Sequence, residues 1–561
     1  MFHHARRAIV FAAVAVCGGS SGVGAADVTH PYPGITHITR TDTMPFFRCP
    51  GCPPPPSPRL ARINIVLVDL TAPEVRFKMA PEGKNLPIPN FPTPGWPLPP
   101  PLFETVRQTT LGFIGESHAQ VAIDTHFFAP FPVPSGSTQG AWAYLIGLAA
   151  SRGNVYSAFE APFQNYAIVT DSPGINIDQE NRASIVHRDP AFDDGKHVLE
   201  DVTLWNALAG SAQIITNGVK TIPDYKDATH PDELLTPNGT YTRGGRHWYF
   251  LSNARTAIGL TEDNRTLVLF TVDGTNGGHG MLVPEVADLL RNEYQVWNAL
   301  NLDGGGSTTM AMQDPADNVR KLVNSPSDVP PRAEGGNFAV YSDGVLPVTT
   351  AVASPPANAN GWNNTNVTVS LTSTDDRSGM AGNLPGWVDQ IQYSLAGAQT
   401  SDAQVAAGSA ASVDVTTPGI TTVTYFATDA AGNDEVAKAL TVRLDGSAPV
   451  VDGLPAGDCV LWPPNDKMRQ VAVVSATDAL SGVAPGSLRV TVTSNEPSDP
   501  NDPDVVVTPD GSGGFVVELR AERQGSGPGR LYMLTATARD LADNAQTVTA
   551  TCTVPHDQRT P

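Results

Sequence analysis

Positive charge is scarce in this chain: 35 Lys and Arg stand against 56 Asp and Glu over 561 residues, a formal net charge of -21. No cluster of Lys and Arg interrupts that excess, so repulsion excludes a nucleic-acid backbone or an anionic membrane surface as a partner. Charged residues of both signs reach only 16%, whereas Gly and Pro number 51 and 50. That composition excludes a protein of long charged helices and favours short strands joined by turns. Long apolar runs are also lacking. The run at residues 8–17, behind Arg6-Arg7, is well short of the roughly 20 residues that a spanning helix needs. It leads into Gly24-Ala25-Ala26 and reads as a secretory signal peptide over 1–26, cleaved after Ala25 or Ala26. The mature chain is therefore expected to be secreted, extracellular or periplasmic, with no membrane span.

Cysteine is sparse, five residues in all. Without Cys17, four remain in an export setting that permits disulfides, and four can pair in three ways. The economical pairing is Cys49 with Cys52 and Cys459 with Cys552. Pro53-Pro54-Pro55-Pro56 forbids the helix that a redox Cys-x-x-Cys motif opens. No second Cys/His pair with ligand spacing accompanies the first, which disfavours zinc.

A length of 561 exceeds the roughly 250 to 300 residues at which single cores stop growing, and about three folded units are expected. Residues 27–61 form a Pro-rich N-terminal segment. Over 62–343 the pattern predicts a mixed α/β domain. Residues 63–70 and 75–79 alternate like strands around a turn at Thr71-Ala72-Pro73-Glu74, which predicts a hairpin. Further strands are expected at 120–123, 248–252 and 266–272. Leu282, Val286, Leu289 and Leu290 recur at helical spacing with Pro284 in the first turn, so a strand-helix-strand unit should end at Asp303. The Pro-rich stretch 86–101 reads as a surface loop.

Helical period almost vanishes after about Val345. Thr374-Asp375-Asp376-Arg377-Ser378-Gly379 echoes Thr477-Asp478-Ala479-Leu480-Ser481-Gly482, and Tyr425-Phe426-Ala427-Thr428-Asp429-Ala430-Ala431-Gly432-Asn433 echoes the segment from Thr535 to Asn544. A period of about 100 residues suits two tandem β-sandwiches, placed at 344–447 and 448–561. They resemble the immunoglobulin-like modules of bacterial extracellular proteins. Their expected role is as spacers or stability modules, with glycan or surface binding as the alternative. The acidic run Asp499-Pro500-Asn501-Asp502-Pro503-Asp504 is expected to be a solvated loop, with calcium binding the alternative.

The sharpest motif is Asn301-Leu302-Asp303-Gly304-Gly305-Gly306-Ser307-Thr308-Thr309-Met310. Asn301 and Asp303, two apart on a strand, project to one face, with Leu300 and Leu302 on the other. Three glycines permit positive φ and expose successive N–H groups to an anion, and Ser307 and Thr308 add hydroxyls. Taken alone, such a run is more often only a tight turn. Val272-Asp273-Gly274-Thr275-Asn276-Gly277-Gly278-His279-Gly280 repeats the design and is expected to bring Asp273 to the same rim as Asp303, with His279 beside it. Ile123-Asp124-Thr125-His126 is a third apolar-to-polar transition, with Asp124 and His126 on one face. Arg255, among small and apolar residues, needs an anionic partner.

In order and spacing, residues 62–341 resemble the phosphodiester glycosidase domain, the family of N-acetylglucosamine-1-phosphodiester alpha-N-acetylglucosaminidase, or uncovering enzyme. The resemblance rests on Arg255-Thr256-Ala257-Ile258-Gly259, on Val272-Asp273-Gly274, and above all on the motif from Ala299 to Met310. The family implies a hydrolase that cleaves between a sugar anomeric carbon and a phosphodiester oxygen. Asp303, Asp273, Arg255 and Asp124 are the candidate catalytic residues. Asn301, Gly304, Gly305, Gly306, Ser307, Thr308, His126 and His279 are the candidate substrate contacts. No cofactor is required, although a divalent cation such as calcium fits between Asp side chains. The expected partner is a carbohydrate phosphodiester or a cell-surface glycan. Asp124-Thr125-His126 before Phe127-Phe128 departs from the Asn-Gly or Asn-Ala expected there, as does the insert at 183–226. A catalytically silent glycan-binding protein and an exopolysaccharide hydrolase are the alternatives.

Overall fold

The computed structural model describes residues 23–44, 59–80, 104–129, 140–159, 169, 171–222, 233–235, 241–243, 249, 251–274, 279–375, 388–499 and 502–557. The expectations for residues 1–22, Cys49, Cys52, the stretch 86–101 and the loop 275–278 fall outside these. The chain divides into two compact units, one built mainly on residues 1–345 and the other mainly on 346–561.

In the first unit, an eight-stranded sheet runs in the order Asp27–Tyr32, Ile35–Met44, Arg59–Asp69, Thr266–Val272, Arg255–Thr261, Val296–Asn301, Ala212–Thr216, Val219–Lys220. Every neighbouring pair is antiparallel. A five-stranded sheet, Arg320–Leu322, Met310–Gln313, Val121–Asp124, Asn337–Ser342, Val75–Met79, is antiparallel as well. Alternation sorts the side chains. Val66, Val68, Ile258, Leu269 and Leu300 of the larger sheet meet Phe77, Val121, Ile123, Met310 and Phe338 of the smaller one in a single buried cluster. On the opposite face of the larger sheet, Ile63, Ile65, Val268 and Phe270 pack against Val286, Ala287 and Leu290 of helix Val283–Tyr294. Helix Thr110–Ser117 covers the outer face of the smaller sheet through Phe113 and Ile114.

Several expectations are corrected by this arrangement. Strands Arg59–Asp69 and Val75–Met79 do not form a hairpin, because they belong to different sheets. The turn between them carries the chain around a corner of the core, which local alternation cannot register. The strand-helix-strand unit is present, but its strands are not neighbours. Arg255–Thr261 lies between them, antiparallel to both, so the outer two run in the same direction and end at the same edge. The unit is therefore mostly β, with helices on outer faces, rather than mixed α/β. Its apolar runs read as continuous because the strands are buried on both faces. Leu251 and Ser252, expected in a strand, lie outside one.

The second unit holds two β-sandwiches. In one, the sheet Val348–Ser354, Val367–Thr374, Ala410–Val415 faces the sheet Ser401–Ala407, Val388–Gly397, Gly419–Asp429, Lys438–Leu444 across Val369, Leu371, Ile391, Val423 and Tyr425. In the other, Val474, Val517 and Leu519 meet Leu534, Ala536, Cys552 and Val554. The sequence echo is structural. Asp429 accepts the main-chain N–H and side-chain amide of Asn433 at 2.8 and 2.7 Å, and Asp540 accepts those of Asn544 at 2.8 and 2.8 Å. The acidic run near Asp502 is not simply solvated, since Asp502 and Asp504 pair with Arg520, and Asp504 also pairs with Arg530. Among the described residues, no helix is long and apolar enough to cross a membrane.

Cys459 and Cys552 are bonded as expected, closing a separation of 93 residues. Restricting so long a loop in the unfolded chain is worth about 2 to 5 kcal/mol. A Cys459→Ser, Cys552→Ser double variant should unfold at correspondingly lower denaturant in its C-terminal transition, followed by Tyr532 fluorescence.

Candidate active site

The site lies where the strands of both sheets end. Strand Val121–Asp124 delivers Asp124, the step beyond Val296–Asn301 delivers Asp303, and the first turn of strand Arg255–Thr261 delivers Thr256. Main-chain bonds lock the three together. The Asp303 N–H donates to the Thr125 carbonyl at 2.8 Å, the Asp124 N–H to that of Thr309 at 3.1 Å, and the Leu302 N–H to that of Thr256 at 3.0 Å. From the other side, the segment 324–336 brings in Asn324, Asp328, Arg332 and Glu334.

Three buried carboxyls share this space, in different environments. Asp124 accepts the Thr309 N–H at 2.8 Å and the Thr256 hydroxyl at 3.0 Å. Burial raises its proton affinity well above the ordinary carboxyl range and the charge of Asp303 adds to it, while those two donors oppose the shift. Asp303 accepts the Gly304 N–H at 2.8 Å and the Ser307 hydroxyl at 2.7 Å. Burial pushes its pKa up to about 6, with Ser307, Arg332 and Gly304 resisting. Glu334 is 1% exposed and neither carboxyl oxygen has a hydrogen-bond partner. Arg332 lies beside these groups, donating from Nε to Asp328 at 3.0 Å and from Nη1 to the Ser307 hydroxyl at 3.0 Å. Burial disfavours its charge, but Glu334, Asp303 and Asp328 outweigh that and hold its pKa above the usual value.

The glycine-rich turn works differently from the expected anion cradle. Its N–H groups are largely committed within the protein. Gly304 donates to Asp303, Gly305 to the Ala254 carbonyl at 3.0 Å, Ser307 to that of Gly304 and Thr308 to that of Gly305, both at 3.3 Å. The turn is a short 3-10 helix, Gly305–Ser307, that wraps the Asp303 carboxyl. Gly305 takes φ +64, and a side chain on Gly306 would come within 2.2 Å of Arg332 Nη2 and 2.4 Å of Asp328 Oδ1. A Gly306→Ala variant should displace that ion pair and lower kcat/KM roughly 10- to 100-fold with little change in unfolding midpoint, as steady-state kinetics beside a melting curve would record.

The other sequence-derived candidates are distributed as follows. Leu300 and Leu302 enter the core between the sheets, as alternation predicts, but the strand stops at Asn301, so Asp303 no longer follows its pleat. Asn301 is fully buried and donates to Ser211 Oγ and the Leu302 carbonyl, both at 2.9 Å. Thr308 Oγ1 lies 3.3 Å from the Thr256 hydroxyl. Asp273 reaches the site at second hand. It accepts the Asn324 amide at 3.2 Å and the Ser325 N–H at 2.8 Å, and Asn324 in turn donates to the Thr308 carbonyl at 3.0 Å. Asp273 borders a cavity of about 600 Å³, lined also by Arg40, Arg62, Asn64 and Ser325. Arg255 is fully buried and donates from Nε to the Met281 carbonyl at 3.2 Å and from Nη2 to that of Leu251 at 2.6 Å. Burial pulls its pKa down to about 9, against the opposing influence of Tyr249 and Glu285. His126 is buried, with Nε2 at 2.9 Å from the Leu148 carbonyl and Nδ1 at 3.0 Å from the Thr125 hydroxyl. Burial lowers its pKa to about 4, which leaves a neutral imidazole tying two segments together. His279 is exposed.

Arg332 and Glu334 were not singled out from the sequence, although a signal exists. Arg332-Ala333-Glu334-Gly335-Gly336 stands directly before the apolar strand Asn337–Ser342, the strand-and-glycine grammar of the other motifs in reverse order. A side chain at Gly335 would lie 2.6 Å from Phe128 Cβ, and one at Gly336 would lie 2.6 Å from Thr125 Oγ1. The two glycines thus allow the Glu334 segment to press against the Asp124 strand end.

Residues 148–366 match the family model described as phosphodiester glycosidase. Mouse N-acetylglucosamine-1-phosphodiester alpha-N-acetylglucosaminidase is 40% identical over 121 residues, covering 22% of this chain and 21% of the mouse protein. The human enzyme is 35% identical over 121 residues, with the same coverage. The chain thus spans about a fifth of the length of the curated relatives it matches. The solved catalytic domain of the zebrafish enzyme is 19% identical, with a TM-score of 0.35, covering 58% of this chain and 88% of that one. The family match begins well inside the expected domain at 62–343 and leaves out Asp124 and His126. It includes Arg255, Asp273, Asp303, Arg332 and Glu334, so the similarity to the phosphodiester glycosidase family is carried by residues 148–366.

Proposed function

We propose that this chain is a secreted phosphodiester glycosidase that hydrolyses the bond between a sugar anomeric carbon and a phosphodiester oxygen, with Asp303 as the working carboxylate. The observation that carries this reading is the cluster of the buried carboxyls Asp303, Asp124 and Glu334 with Arg332 around Ser307, in which burial pushes the pKa of Asp303 up to about 6 beside a guanidinium. Asp124 and Asp303 each have a hydroxyl and an N–H donor on their oxygens, which Glu334 lacks, and of those two Asp303 has the less raised proton affinity. It is the group best prepared to take the proton of an attacking water or to meet the oxocarbenium-like carbon. A departing phosphate already carries negative charge and needs less acid help than an alkoxide. Arg332, held in place by Asp328 and Ser307, is suited to meet that charge as it grows. Asp124 and Asp273 serve as supports, Asp124 by ordering Thr256 and Thr309 and Asp273 by fixing Asn324. Arg255, held by two carbonyls, acts in this reading by shaping the strand end and not by touching substrate. Export is supported by the signal-like N-terminus and by the Cys459–Cys552 bond, a type of bond that forms and persists mainly in oxidising compartments.

Incubating the purified chain with a panel of sugar-phosphodiesters and of neutral polysaccharides tests the assignment. Release of free sugar and phosphomonoester from a phosphodiester alone is expected. Turnover restricted to neutral polysaccharide would contradict it, and binding without turnover would favour a silent glycan-binding protein.

A further inference from the structure

Glu334 is fixed before its side chain is considered. Its main chain is bridged to Gln108 in both directions, with N···O distances of 2.8 and 3.0 Å, and the two glycines that follow it are pressed against Phe128 and Thr125. The carboxyl so delivered is 1% exposed and unpaired at both oxygens. The charged groups that bear on it are the carboxyls of Asp124 and Asp303 and the guanidiniums of Arg332 and Arg107. An ionised carboxylate buried without donors is costly, by several kcal/mol in general, and such a group neutralises instead. Burial first, and then the carboxyls of Asp124 and Asp303, hold the proton on Glu334 against the attraction of Arg332. Asp303 differs in having two donors on its oxygens. If Glu334 were to ionise, it would compete with Ser307 and Asp328 for Arg332 and would place a second negative charge next to Asp303.

We infer that Glu334 is a positioning residue, kept as the neutral acid so that it adds no further negative charge beside Asp303 and Arg332 stays turned toward Ser307 and Asp328. The inference rests on the phosphodiester glycosidase reading. It accounts for an acid too enclosed to reach substrate, and it assigns the alkaline limb of the pH profile to Glu334 and the acid limb to Asp303.

Two variants and one titration test it. In Glu334→Gln, which cannot ionise, the alkaline limb of kcat/KM should disappear while turnover persists at a rate lowered roughly three- to tenfold. In Glu334→Asp the alkaline limb should remain. An alkaline limb unchanged in Glu334→Gln would overturn the inference. So would a loss of more than roughly 1000-fold at every pH in a variant that melts like the wild type, because Glu334 would then deliver its proton directly. Carboxyl 13C NMR of the wild-type protein is independent of turnover. Glu334 should keep its proton after Asp303 has lost its own, and the reverse order would overturn the inference even if no phosphodiester were cleaved.

Discussion

Asp303→Asn should lower kcat/KM by about 1000-fold and at the same time make the fold more stable at alkaline pH. The second effect follows from the same burial that prepares the residue for chemistry. Asp303 is 7% exposed, and its pKa is raised from 3.8 to about 6. The native carboxyl therefore holds its proton more tightly than the unfolded one. As pH rises through the window between those values, the unfolded chain has released its proton while the native state still binds it, so stability falls with increasing pH. A shift of that size corresponds to about 3 kcal/mol. Asparagine has no proton to lose, so the variant should gain up to that amount above the window and nothing below it. Urea unfolding at one pH on each side, together with kinetics, checks both halves. Near-wild-type turnover would remove Asp303 from the chemistry, and a stability change equal at the two pH values would remove its ionisation from the energetics.

Arg332→Ala has the second largest expected effect, a loss of about 100- to 1000-fold in kcat/KM. The charge of Arg332 opposes the rise in Asp303's proton affinity, so its removal should also move the acid limb of the pH profile to higher pH. Arg332→Lys separates charge from geometry. A lysine keeps the cation but not the planar fork that spans Asp328 and Ser307, so the acid limb should stay near its wild-type position while the rate remains depressed. If Arg332→Ala were as active as the wild type, the guanidinium beside Ser307 would not be the one that meets the leaving group, and Arg255 would return as the candidate.

Much of the candidate site is legible in the sequence. Asp303, Asp124 and Asp273 each stand where an apolar strand turns polar, because a strand buried on both faces can expose function only at its end. Ser307 was legible as the hydroxyl after the glycines. The role of the glycines is less legible. Their freedom of φ suggested N–H groups turned toward a ligand, whereas those groups close on Asp303, Ala254 and the turn itself, and Gly306 is small to make room for Arg332 and Asp328. Arg255 was chosen because a guanidinium among apolar neighbours needs acceptors, and main-chain carbonyls supply them. Sequence gives the need without naming the partner. Glu334 and Arg332 are not legible in this way because they come from a loop 22 to 24 residues beyond the main motif, and only the strand order Met310–Gln313, Val121–Asp124, Asn337–Ser342 folds that loop back over it. The hairpin at 63–79 failed for the same kind of reason, since alternation fixes which face a residue takes but not which sheet its strand joins.

If Asp303 and Arg332 act as proposed, water attacks the sugar carbon and not the phosphorus, and hydrolysis in 18O-labelled water distinguishes the two. With a cleavable sugar-phosphodiester, the account predicts that the label appears in the anomeric hydroxyl of the released sugar and that the phosphomonoester, followed by 31P NMR, remains unlabelled. Label in the phosphate would mean that the phosphorus–oxygen bond had broken and would contradict the assignment of Asp303 and Arg332 made here.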